Sequence, residues 1–314
     1  MQLRFLLLIY SFLVTGLLEA KSFSKFFYDY HERPDQSLEN IIVEAQKYHF
    51  VFVSGFLNER APFYWNDMIN ELKDHLEVDE DDIDVINPSS KNMTLENSPL
   101  IFQEISQIKT KKPLIIIAHS KGAVETFDMA WRHPAFIRDK VKGIYFIQGS
   151  FGGSYVADHL TLGNLDLGDL LNARQRLRIK IQFNIESILL QPNMHALSSL
   201  TRNFATQWQS NLLKEKNLLH DEINDRLFYI TSFANGPANT SLYLKNPSLF
   251  LNAMYGQNDG LVLTKHQVIP GIGKRLAILN ADHTDFVIPR PLSAHSGDFR
   301  TAFIRALIAT QIST

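Results

Sequence analysis

Pro113-Leu114-Ile115-Ile116-Ile117-Ala118-His119-Ser120-Lys121-Gly122-Ala123-Val124-Glu125-Thr126-Phe127-Asp128-Met129-Ala130-Trp131 is the stretch on which the fold of this chain turns. Leu114 to Ala118 is a continuous, mostly β-branched apolar run, as a strand buried on both faces should be. It leads directly into His119-Ser120-Lys121-Gly122, and an amphipathic helical pattern follows from Ala123 to Trp131. Strand, tight turn and helix in that order are the setting of a nucleophile elbow, where a serine hydroxyl stands above the sheet on a strained turn. Such a turn brings the residues two before and two after the serine together, so both must be small. Here they are Ala118 and Gly122, where the usual pattern has Gly at both ends. A bare Ser-x-Gly is an ordinary polar loop; the flanking strand and helix select the catalytic reading.

Further strand-like runs surround this one, alternating with helical stretches, the pattern of a mostly parallel sheet. They are His49 to Gly55, Ile83 to Ile86, Val141 to Gln148, Leu227 to Thr231, Leu249 to Tyr255 and Leu276 to Asn280. The rhythm stops between about residues 154 and 225, where the text turns helical, including Leu165 to Ile181 and Met194 to Leu213. Strands of the same type resume afterwards, so this segment reads as a cap inserted over the sheet. No internal repeat or low-complexity segment is present.

The 314 residues correspond to about two domains at roughly 150 residues each, or to one large α/β domain with an insertion. A composition of 45% hydrophobic and 20% charged residues supplies a large core and excludes a disordered chain. With 31 basic and 33 acidic side chains, there is no overall attraction for nucleic acid. There is no cysteine, which removes disulfides, thiolate metal sites and a cysteine nucleophile together. Residues 1–20 read as a signal peptide: Arg4 is the basic flank, Phe5 to Val14 the apolar stretch, and Ala20 the small residue before the cut. The expected product, 21–314, is secreted or periplasmic, with an uncleaved anchor as the alternative; a mature N-terminus at Lys21 would mark cleavage.

A serine nucleophile needs a base, an acid and donors for the developing oxyanion. The N–H after the nucleophile is that of Lys121, and the loop after the first core strand, Ser54-Gly55-Phe56, offers the N–H of Phe56. Of seven histidines after Ser120, His283 directly follows the strand Leu276 to Asn280, at the carboxyl end where open α/β sheets place their sites. His295 is the reserve. Asp259, in Gly256-Gln257-Asn258-Asp259-Gly260, sits on a turn and precedes the base, as the order Ser, acid, His requires. The expected catalytic residues are therefore Ser120, Asp259 and His283.

These segments resemble the α/β-hydrolase superfamily, in particular bacterial secreted true lipases and related esterases. The resemblance rests on Ser-Gly-Phe at 54 to 56, Ala-His-Ser-Lys-Gly at 118 to 122, Gly-Ser-Tyr-Val-Ala-Asp at 153 to 158, Asn-Asp-Gly-Leu-Val at 258 to 262 and Asp-His-Thr-Asp at 282 to 285. It implies an α/β-hydrolase fold, a mostly parallel twisted sheet flanked by helices, with a helical cap or lid at about 154–225 covering an apolar acyl pocket. Some of these lipases bind a structural calcium, and Asp285 matches one ligand. Pro289 stands where the family has Gln, so no metal or other cofactor is expected.

Two charged stretches read as solvated surface: the acidic run Glu77 to Asp84 and the basic Arg174 to Lys180, the latter also suited to a lipid interface. Asn92 and Asn239 open glycosylation sequons. The expected activity is hydrolysis of lipid or small carboxylic esters, with the cap touching lipid and no nucleic-acid partner. A phospholipase, polyester depolymerase, thioesterase or acyltransferase on the same scaffold, and a non-catalytic binding protein, are the alternatives.

Overall fold

The computed structural model describes residues 23–162, 178–179, 193–236, 239–289 and 293–312. The proposed signal peptide, most of the Leu165 to Ile181 stretch and most of the basic run lie outside these residues. Six strands form one sheet in the order β2-β1-β3-β4-β5-β6: β1 (His49–Val53), β2 (Ile83–Ile86), β3 (Leu114–His119), β4 (Val141–Ile147), β5 (Leu227–Phe233) and β6 (Lys274–Asn280). Every pairing is parallel, so all carboxyl ends share one edge. The framing helices are α1 (Thr94–Gln107), α2 (Ser120–Arg132), α3 (Tyr155–Leu162), α4 (Met194–Ser198), α5 (Arg202–Lys214), α6 (Leu218–Asn224), α7 (Lys245–Met254) and α8 (Gly297–Ile312).

Alternation along the strands sends successive side chains to opposite faces. Phe50, Phe52, Ile115, Ile117 and Tyr145 pack on one face with Trp65 and with Phe299 and Phe303 of α8. Val51, Val53, Ile116, Ile144 and Phe146 pack on the other with Phe127 and Trp131 of α2. Each such side chain contributes roughly 1.5–3 kcal/mol by leaving water. Helix α2 is buried from Lys121 to Trp131 because α1 covers the side turned away from the sheet.

The close approach of α2 to β1 explains Gly122. A Cβ there would lie 2.3 Å from the Ser54 carbonyl oxygen and 3.0 Å from that of Val53. Both atoms are backbone, so relief requires moving the strand. Gly122→Ala should therefore destabilise the protein by about 1–3 kcal/mol, read as a lower urea midpoint with an unchanged slope. A wild-type midpoint would refute this account of the turn.

The segment Leu249 to Tyr255, expected as a strand, is instead the last part of α7 and its C-cap residue. A short apolar run has no periodicity that separates a buried strand from a buried helix, and Pro247, Ser248, Phe250 and Leu251 give this one a helical buried face. The inserted segment also divides. Val156, Ala157 and Leu160 of α3, with Leu197 and Leu200, form a third apolar cluster with Phe250, Leu251 and Leu263. Trp208 and Leu212 of α5 and Ile223 of α6 pack instead on the β-sheet face that carries α2. Among the described residues, only the first part of the insertion reaches the space above the sheet edge.

Candidate active site

The sequence-predicted residues meet at the carboxyl edge of the sheet. Ser120 opens α2 directly after β3 with φ +56°, a left-handed conformation costing a non-glycine residue on the order of 1–3 kcal/mol. His283 stands in the loop after β6, and Asp259 in the loop after α7. Ser120 Oγ lies 2.8 Å from His283 Nε2, and His283 Nδ1 lies 2.8 Å from Asp259 Oδ2. Asp259 is fully buried and His283 nearly so. The carboxylate opposite Nδ1 keeps a proton on that nitrogen, which leaves Nε2 as an acceptor for the serine hydroxyl.

The turn Asn258-Asp259-Gly260 positions the candidate acid. Gly260 has φ +103°, which folds the chain back so that the N–H groups of Leu261 and Val262 donate to Asp259 Oδ1 at 3.0 and 2.8 Å. Gln267 Nε2 donates to Oδ2 at 3.0 Å, beside the histidine. His283 is tied to Asp259 a second time, since the His283 N–H donates to the Asp259 carbonyl at 2.8 Å.

The oxyanion side follows the same economy. The Gly55 N–H is taken by the Tyr64 hydroxyl at 3.1 Å. The Phe56 N–H has no hydrogen-bond partner among the described residues, and Phe56 lines the cavity above Ser120. Lys121 is the second residue of α2, so its N–H has no carbonyl four residues back within the helix. Its ammonium is turned away from the cavity and buried against Glu125, whose carboxyl also accepts from Asn97 Nδ2 at 2.7 Å. Burial pushes the Glu125 carboxyl up to about 7, against the pull of the Lys121 charge.

Sequence reading did not find the polar layer beneath the triad. His119 Nε2 has two acceptors, the His283 carbonyl at 2.9 Å and Gln148 Oε1 at 3.0 Å. That nitrogen carries the proton, and Nδ1 accepts from the Tyr64 hydroxyl at 2.5 Å. Gln148 Nε2 donates to the Asp282 carbonyl at 2.8 Å. Tyr64 thus links the loop carrying Phe56 to His119, and His119 and Gln148 hold the loop carrying His283. Nothing in the spacing of Tyr64, Gln148 or Gln267 marks these roles, because each comes from a different connection and only the folded sheet edge assembles them.

His119 is fully buried, and its pKa is held well below the ordinary histidine value by burial and by the neighbouring His283. Its folded pKa is thus below its unfolded one, so below about pH 6.5 the unfolded chain binds a proton that the folded chain refuses. Stability contributed here is complete above that pH and falls by about 1.4 kcal/mol per unit of acidification below it. Urea unfolding at pH 7, 6 and 5 should show the stability difference between wild type and His119→Gln shrinking as pH falls. A difference that stays constant would contradict the assignment.

Asp285 does not face Ser120. Its Oδ1 accepts from the N–H groups of Ala294 and His295, and its Oδ2 from that of Asp282. Burial and the adjacent Asp282 push its carboxyl up to about 7. Its oxygens are engaged in bracing the base loop, and among the described residues no cluster of three or more His, Asp or Glu could hold a metal. His295, the reserve base, contacts the Asn280 carbonyl at 2.9 Å and stacks on Phe299, away from the nucleophile.

Above the triad lies a cavity of about 430 Å³. It is lined by Val156, Ala157, Leu160, Leu197 and Leu200 from the insertion, by the loop after β1, and by Val287 and Ile288.

No protein-family profile matches the chain, and no curated protein sequence does. Solved structures do. A Bacillus licheniformis lipase in its mature form is 18% identical, with 76% of this chain and 85% of that chain covered and a TM-score of 0.56. A metagenomic carboxyl esterase is 17% identical, with 86% of this chain and 77% of that chain covered and a TM-score of 0.58. At such identities the likeness shows the fold, which is that of the α/β-hydrolases.

Proposed function

We propose that this α/β-hydrolase-fold chain is a serine carboxylic ester hydrolase that forms an acyl-enzyme at Ser120. The observation that carries the reading is the hydrogen-bonded series from Ser120 Oγ through His283 to Asp259, with the serine held at φ +56° on the elbow. Ser120 Oγ attacks the ester carbonyl while His283 Nε2 takes the hydroxyl proton, and the carbonyl oxygen becomes an oxyanion facing the N–H groups of Phe56 and Lys121. Collapse of this intermediate breaks the carbonyl-to-alkoxy bond, and His283 returns the proton to the departing alcohol. Water then attacks the acyl-enzyme, giving its proton to His283; the acid leaves and Ser120 Oγ is reprotonated. Asp259 stays ionised and stabilises the imidazolium in both halves.

The apolar walls favour esters with a hydrocarbon arm, and the two solved structures of like fold are a lipase and an esterase. Export follows from residues 1–20 and remains part of the proposal; among the described residues no helix is long and apolar enough to cross a membrane. The test is hydrolysis of aryl esters of increasing acyl length, with fluorophosphonate labelling of Ser120. Activity on no acyl length, or no label on Ser120, would refute the reading.

A further inference from the structure

The cavity walls carry one permanently charged side chain among the described residues, Arg60, and it is exposed. It has no ion pair or side-chain hydrogen bond among the described residues. Its neighbour Glu59, the nearest carboxylate in sequence, accepts from the Ser90 N–H at 2.8 Å. Among the described residues, none of the guanidinium's five donors is therefore committed to another side chain.

The turn beneath it is fixed. Leu57 takes φ +63°, and its N–H donates to Ser90 Oγ at 2.7 Å. Asn58 Nδ2 donates to the carbonyls of Gly55 and Pro88 at 2.9 and 2.8 Å, and the Arg60 N–H closes the turn on the Leu57 carbonyl at 3.0 Å. Asn58 is buried. Arg60 is thus four residues beyond Phe56 on a turn braced by buried hydrogen bonds. Its backbone is held close in sequence to the candidate oxyanion donor, while Val156, Leu160 and Leu197, which line the same cavity, are apolar.

We infer that Arg60 is a specificity residue that binds an anionic group, phosphate or carboxylate, on the arm of the ester that does not enter the apolar part of the cavity. This inference rests on the ester-hydrolase reading above. A substrate with an apolar acyl chain and an anionic alcohol part satisfies both the apolar lining and Arg60. A planar guanidinium suits either anion, because it offers paired N–H donors to two oxygens.

The test measures kcat/KM for matched pairs that share acyl group and ester. One arm compares octanoylglycerol phosphate with octanoylglycerol; the other compares octanoyloxypropanoate with its neutral amide. The wild type should prefer the anionic member in at least one arm, by about tenfold, and the arm that responds identifies phosphate or carboxylate. Arg60→Ala should bring that ratio close to one, Arg60→Lys should restore part of it, and added salt should lower it in the wild type but not in Arg60→Ala. Hydrolysis of both members with ratios that Arg60→Ala leaves unchanged would overturn the inference and leave the hydrolase reading standing. Hydrolysis of no ester in either pair while aryl esters are cleaved would overturn the inference alone; failure on aryl esters as well would overturn the hydrolase reading itself.

Discussion

Replacing Ser120 with Ala is expected to lower kcat on aryl esters by about 10⁴-fold or more and to abolish fluorophosphonate labelling. The reason is local. His283 Nε2 has the Ser120 hydroxyl at 2.8 Å, and removing that oxygen leaves the base with no oxygen to activate but that of water. The oxyanion donors and the cavity remain, so a residual rate above solution hydrolysis is expected. Alanine is as strained as serine at φ +56°, so thermal stability should change little and the loss should lie in turnover. Undiminished hydrolysis by the variant would assign the activity to another nucleophile.

Asp259→Asn should be nearly as severe, about 10⁴-fold in kcat, and the surroundings say why the amide cannot evade it. Oδ1 accepts two backbone N–H groups, from Leu261 and Val262. An asparagine must leave its carbonyl oxygen there, or two buried donors lose their acceptor at about 1–3 kcal/mol each. Its NH₂ then takes the place of Oδ2, facing His283 Nδ1 and Gln267 Nε2. The amide donates to Nδ1, so the imidazole proton moves to Nε2, the nitrogen that must accept from Ser120. The variant should bind substrate with a KM near that of the wild type, and the deficit should narrow as rising pH supplies hydroxide to assist the serine. A variant within tenfold of wild type at neutral pH would remove Asp259 from the mechanism.

The parts of the site legible in sequence are those whose geometry is local. Ala118, Ser120 and Gly122 are separated by fixed short steps, and the strand and helix around them advertise the turn between. Asp259 announces itself through Gly260, and His283 through the strand just before it. The order of the three residues followed, although the strand expected before Asp259 is the helix α7; the acid's own turn, rather than the element leading to it, aims the carboxylate. Tyr64, Gln148 and Gln267 were illegible because a single polar residue at the end of a connection looks the same whether it meets solvent or a histidine. Gln148 differs only in its φ of +51°, which sequence does not display. The inserted segment was recognisable as a break in rhythm, but its division between cavity wall and sheet cover depends on which partner each apolar face meets.

The uniformly parallel pairing of the sheet has a consequence for how the chain reaches its native state. Among the described residues, no two strands of the sheet are joined by a hairpin, since each pairing waits for an intervening segment to cross back. Ser120 and His283, in contact at the end, are 163 residues apart. Such topology favours slow folding through partly assembled species, during which the run Leu114 to Ala118 stays uncovered and is the natural point of self-association. With no cysteine in the chain, no covalent cross-link holds an intermediate together or traps a wrong one. Recovery from denaturant should therefore be governed by protein concentration rather than by redox conditions.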